Sequence, residues 1–91
     1  MEREIKFRGE LDDGNFGYGD LIHDDVGMLI RTDKGQLHRV KKVSQLIEKD
    51  MYGKEIFEDD FCEWANAISM PFKVSFDHYV LIKQGEVVLS E

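Results

Sequence analysis

Residues 49–61, KDMYGKEIFEDDF, gather five carboxylates around one glycine: Asp50, Glu55, Glu58, Asp59 and Asp60. Two chemistries use such a cluster, calcium binding and paired acid–base catalysis. An EF-hand loop needs oxygen ligands at positions 1, 3 and 5, Gly at 6 and Glu at 12. Begun at Asp50, position 6 is Glu55. Begun at Asp12, position 6 is Gly17, but position 5 is Phe16 and position 12 is His23. Neither register fits. Glu58, Asp59 and Asp60 are consecutive, so at most two can share a direction. Three solvated acids in a row also lack the unlike environments that separate an acid from a base.

The other reactive residue types are sparse. A nitrogen–oxygen metal site, and with it a metal-dependent hydrolase, would need His23, Asp24, Asp25, Asp77 and His78 to converge. No HExxH pairing supports this, and adjacent strand residues such as Asp77 and His78 point to opposite faces. Ser44, Ser69, Ser75 and Ser90 lie in no GxSxG elbow, and no phosphate loop is present. GYGD at 17–20 has too few glycines for a dinucleotide fingerprint. The lone Cys62 excludes an intramolecular disulfide and a multi-cysteine zinc site, and reads as a half-buried small apolar residue in a reducing compartment. The expectation is a protein without catalytic residues, cofactor or metal.

Two non-catalytic uses remain. RTDKGQLHRVKK, residues 31–42, offers Arg31, Lys34, Arg39, Lys41 and Lys42 to a phosphate backbone. Trp64, Phe72, Phe76 and Tyr79 have the chemistry of a base-stacking platform, though so short a chain needs its aromatics for a core. Charge weighs against nucleic acid. Residues 1–47 hold eight Lys/Arg against nine Asp/Glu, and residues 48–91 hold four against ten. The acidic half repels phosphate and suits either solvation or a basic protein surface.

The elements that must position these residues are short and mostly extended. EREIKFR (2–8) alternates, with Ile5 and Phe7 on one face. GELDDGN (9–15) is a turn cluster, and FGYGDLI (16–22) resumes a strand whose glycines suggest a bulge or a close backbone approach. VGMLIRT (26–32) and QLHRV (36–40) flank TDKG and read as a hairpin. KKVSQLIEKDM (41–51) is ambiguous, because Val43, Leu46 and Ile47 have helical spacing in a short piece. In the second half DFCEWA (60–65), FKVSF (72–76), YVLIK (79–83) and EVVLS (86–90) read as strands separated by tight turns, a meander that curls into a barrel. The predicted fold is mainly β with at most one short helix. It is a small single domain, with N-terminal strands over 1–47 and an SH3-like barrel over 48–91. The charged start MEREIKFRGE and the lack of an apolar run of about 18 residues argue against a signal peptide or a membrane span. A cytoplasmic protein is expected.

REIKFRG at 3–9, followed by YGDLI at 18–22, resembles the opening of the YopX-like phage and prophage proteins. The second block of that family carries D-x-x-G-K-x-I-[YF]-E-G-D-I-V. Here VSQLIEKDMYGKEIFEDDFCEW (43–64) places Asp50, Gly53, Lys54, Ile56, Phe57, Glu58 and Asp60 on the pattern. Asp59 stands where the pattern has glycine. If that glycine supplies a positive φ, Asp59 must hold it, at a smaller cost than most non-glycines. The resemblance implies a small β-barrel domain carried by phages and prophages, with no activity or ligand to transfer. Asp50, Gly53, Ile56, Phe57 and Asp60 then form a structural motif. Gly53 makes the turn, Ile56 and Phe57 anchor it, and Glu55, Glu58 and Asp59 stay as solvated charge.

The function expected is a phage-encoded accessory protein that binds a host or phage protein. Glu55, Glu58 and Asp59, with the cations of 31–42, are its candidate surface. The alternative is a small nucleic-acid-binding barrel that uses the 31–42 stretch. Exposed edge strands leave self-association open.

Overall fold

The computed structural model describes residues 5–68 and 70–90. The fold is mainly β, with one short α-helix. Two compact units divide the described chain, residues 5–45 and residues 46–90.

The N-terminal unit holds β1 (Phe7–Glu10), β2 (Phe16–His23), β3 (Met28–Arg31), β4 (Leu37–Val40) and the first half of β5 (Val43–Lys49). All pairings are antiparallel, in the order β4-β3-β2-β1-β5. The hairpin expected around TDKG is the β3–β4 pair. In a flat sheet the first and fifth strands would lie about 19 Å apart at about 4.8 Å per neighbour. Yet three Cα steps join Val40 to Val43, a reach of at most about 11 Å. The sheet must therefore curl until those strand ends meet. Its concave face closes on Ile30, which is fully buried, on Val40, and on Gly9. A Cβ on Gly9 would lie 2.5 Å from Val40 Cγ1 and 2.8 Å from Ile30 Cγ1, so backbone replaces side chain there.

The C-terminal unit holds the rest of β5, β6 (Glu55–Phe57), β7 (Phe61–Trp64), β8 (Phe72–Lys73), α1 (Tyr79–Lys83) and β9 (Val87–Leu89). β6 pairs with β5, and β7, β8 and β9 form an antiparallel sheet ordered β8-β7-β9. Ile47, Ile56, Cys62, Val74, Ile82 and Val87 make its core. The ambiguous 41–51 segment is strand. Its register shifts between Leu46 and Glu48, and this irregularity turns both Leu46 and Ile47 inward. Two adjacent buried residues after Val43 imitate helical spacing.

Two expectations fail in this unit. The C-terminal strands form an open three-stranded sheet, and no closed barrel occurs among the described residues. YVLIK is a helix, preceded by a 3-10 turn at Phe76–His78. Its flanks decide this. Ser75 accepts the Asp77 amide while His78 Nδ1 accepts the Ser75 amide, a reciprocal cap. At the other end Glu86 N–H donates to Leu81 C=O and Gly85 N–H to Ile82 C=O, a Schellman ending. A four-residue apolar run is equally readable as buried strand or buried helix. Burial of Ile82 and half-burial of Tyr79 and Leu81 settle it for this chain.

Candidate functional site

The acidic stretch is a pair of linked turns. Asp50 N–H donates to Lys54 C=O and Gly53 N–H to Asp50 C=O, a three-residue hairpin loop. Leu11–Asn15 and Thr32–Gln36 repeat the same two bonds, each with glycine fourth. Gly53 has φ 80°, open to glycine with little cost. Thr32 Oγ1 accepts the matching bond from the Gln36 amide at 3.2 Å, but Asp50 does more. Its side chain is buried, 6% exposed. Its Oδ1 accepts the amides of Tyr52 at 2.9 Å and Lys54 at 3.0 Å. Its Oδ2 reaches 39 residues along the chain to the Leu89 amide at 3.1 Å. One carboxylate thus closes the turn and ties it to β9.

The second turn spans Phe57 to Asp60. Asp60 N–H donates to Phe57 C=O, and Asp60 Oδ2 accepts the Phe57 amide at 2.9 Å. Asp59 occupies the third position with φ 69°, the one non-glycine at positive φ among the described residues. A turn with positive φ at that position alone is type II, which glycine favours. Ile56 and Phe57 are buried. Glu55 and Glu58 are half-buried, not the fully solvated charges expected, because each flanks a residue packed into the core; Asp59 is exposed.

The cations of 31–42 are largely spoken for. Arg39 grips Asp24 with two parallel bonds, Nη1–Oδ1 at 2.8 Å and Nη2–Oδ2 at 2.7 Å. Asp24 also accepts the Val26 and Gly27 amides. The guanidinium first, and then these amides, hold its carboxyl well below the usual carboxylate range. Arg31 lies 3.4 Å from Asp20, and Lys41 3.4 Å from Asp12. Lys34 and Lys42 are exposed. The stretch therefore does not present a row of uncompensated cations.

The metal-site residues do not assemble a ligand set. Asp24 is committed to Arg39 and His78 Nδ1 to Ser75. Among the described residues no group of three or more His, Cys, Asp or Glu could hold a metal ion. Cys62 is buried, and its burial, with the nearby charges of Asp60 and Asp50, pushes the thiol up to about 12. Such a thiol is a poor nucleophile at neutral pH.

Of the four aromatics expected to serve the core, three do so and Trp64 stays partly exposed. Phe72, Phe76 and Tyr79 pack against the core, and Trp64 leans on Phe72 with centroids 5.4 Å apart. Trp64 also borders a recess of about 580 Å³ with Tyr52, Lys54, Glu63, Val88 and Leu89. In the N-terminal unit Phe16 and Tyr18 stand exposed on the convex face of β2, at 48% and 42%. Their alternation with Gly17 and Gly19 carries the signal for this. The side-chain-free face of the strand packs, so the aromatic face must be the outer one.

Compared with protein-family models, with curated proteins and with solved structures, the chain finds no match.

Proposed function

We propose that the chain is a non-catalytic accessory protein of YopX-like type, made by a phage or prophage. On this reading it works in the host cytoplasm as a protein-binding module for a basic partner surface. One observation carries the proposal: large apolar side chains stand exposed inside an acidic unit. Residues 46–90 hold four Lys/Arg against nine Asp/Glu. Met51, Tyr52, Phe61 and Trp64 are nonetheless exposed, and Tyr52 and Trp64 line one recess beside Glu63. Tyr, Trp and Met are the side chains that anchor protein interfaces, while acidic surroundings select a cationic rim on the partner. No helix among the described residues is long and apolar enough to cross a membrane.

Affinity capture from host lysate, at low and moderate salt, tests the proposal. It should return a basic protein that Tyr52→Ala fails to hold. The Tyr52 ring is exposed, and its backbone amide bond to Asp50 survives the change. Capture of nothing at either salt, or equal capture by the variant, overturns the proposal.

A further inference from the structure

We infer that Asp13 is a modification site: its side chain and the Gly14 amide close to a succinimide and reopen as isoaspartate, a reaction that the folded loop restrains. Asp13–Gly14 is the chain's single Asp-Gly pair, and the sequence has no Asn-Gly pair. Every other aspartate precedes a residue whose own side chain hinders attack by its backbone nitrogen. The three loops of one shape supply an internal comparison. The residue before glycine is Asp13 in the first, Lys34 in the second and Tyr52 in the third. Only Asp13 places a carboxyl carbon where the glycine nitrogen can close a five-membered ring. Asp13 and Gly14 are both exposed, and a Cβ on Gly14 would meet nothing within 4 Å, so the ring has room to form.

The Gly14 nitrogen gives its proton to solvent and attacks Asp13 Cγ. A C–N bond forms, and a carboxyl oxygen leaves as water. Water then adds to either carbonyl of the ring. Opening at Cγ restores aspartate. Opening at the α-carbonyl leaves the chain running through the side chain, with an extra backbone carbon and the mass unchanged. The fold resists at both reacting groups. Gly14 N–H donates to Leu11 C=O at 3.1 Å, which engages the nucleophile. Asp13 Oδ1 accepts the Asn15 amide at 2.9 Å, and Oδ2 accepts Asn15 Nδ2 at 3.1 Å, which pins the carboxylate. The Asn15 amide first, and then its side chain, hold that carboxyl below the usual carboxylate range, and an ionised carboxylate gives up oxygen reluctantly. Isoaspartate, once formed, lengthens a loop that sets the register of β1 against β2, so the Leu11–Asn15 closure must rearrange.

Ageing the full chain at one temperature and neutral pH, in buffer and in urea, tests the inference. Trypsin, cutting after Arg8 and Arg31, releases residues 9–31. Chromatography separates the equal-mass isomers of that peptide, and fragmentation locates the extra backbone carbon. In urea, isoaspartate should appear first at Asp13. The Gly14–Leu11 and Asn15–Asp13 bonds must open in the folded chain, at a factor of roughly 5 each, so buffer should slow the reaction roughly 5- to 25-fold. Asp13→Glu should remove the signal at this position under both conditions. Gly14→Ala should slow it in urea, where folding plays no part. No isoaspartate at Asp13 in urea, or earlier accumulation at another aspartate, overturns the site. Equal rates in buffer and urea overturn the restraint, and an unchanged rate for Gly14→Ala in urea overturns the role of the glycine nitrogen.

Discussion

Residues 5–45 and residues 46–90 are close in length but packed on different terms. The N-terminal unit buries few large side chains, chiefly Ile30 and Val40, and brings backbone against them at Gly9. The C-terminal unit buries Leu46, Ile47, Ile56, Phe57, Cys62, Val74, Ile82 and Val87, and then pins its turn with the buried Asp50 carboxylate. Charge follows the same division. Residues 5–45 hold seven Lys/Arg and seven Asp/Glu, with Arg31, Arg39 and Lys41 in ion pairs on their own unit. The acids of 46–90 outnumber its bases by more than two to one. A curled sheet with a thin core depends on close approach, and a loop-rich unit with a fuller core depends on a few polar ties. The two should break at different kinds of residue.

The largest effect is expected at Asp50. Asp50→Ala removes the acceptor for three amides, two in the turn and one on β9, and leaves part-buried donors unpaired. Hydrogen bonds to a charged group contribute about 1.5–3 kcal/mol each in favourable cases and are not additive, so a loss of about 3 kcal/mol is expected. Urea unfolding followed by Trp64, the chain's single tryptophan, reads it within the C-terminal unit. A change below about 1 kcal/mol would show that water replaces the carboxylate at little cost.

Gly9→Ala probes the other unit. The added methyl has no room beside Val40 and Ile30, and overpacking of this kind costs about 1–3 kcal/mol. Val40→Ala in the same chain removes the nearest atom, Cγ1, and should recover part of the loss. Simple additivity of the two changes in thermal melts would contradict the close packing described for the concave face.

The smallest effect is expected at Asp59. Its side chain is exposed and its φ is 69°, so Asp59→Gly relieves a left-handed conformation while loosening the unfolded chain. The two contributions nearly cancel, and stability should stay within about 0.5 kcal/mol or rise. Asp59→Val, β-branched at positive φ, should cost about 1–3 kcal/mol. A clear loss on the glycine change would mean that the carboxylate makes a needed contact.

Much of the strand layout was legible because turn chemistry is local. TDKG announces its hairpin, and Asp50 and Gly53 announce theirs, since a three-residue loop needs a residue at positive φ and glycine supplies it cheaply. Turn residues bounded β2 through β4, whereas β1 takes in Gly9 and Glu10, which read as turn, and residues 2–4 of the alternating stretch lie outside the described residues. The candidate surfaces were less legible. Arg39 reads as an available cation until β4 carries it to Asp24, 15 residues away. Trp64, Phe72, Phe76 and Tyr79 read as one aromatic set, but only their packing separates core from rim. Phe16 and Tyr18 could have been assigned to an outer face from their glycine neighbours alone.

What the sequence determined by itself is therefore the mainly β character, the glycine-bearing turns and the acidic bias of the second half. Each rests on interactions within about five residues or on plain composition. Tertiary structure decided the rest. YVLIK became helix because the Ser75–His78 cap and the Gly85 ending enclose it and Ile82 fills the core. The second half stayed an open sheet because that helix takes the place of a strand between β8 and β9. Asp50 became a structural tie because folding brought the Leu89 amide to it. An apolar run and a carboxylate are ambiguous along a chain; the partners that folding brings within reach remove the ambiguity.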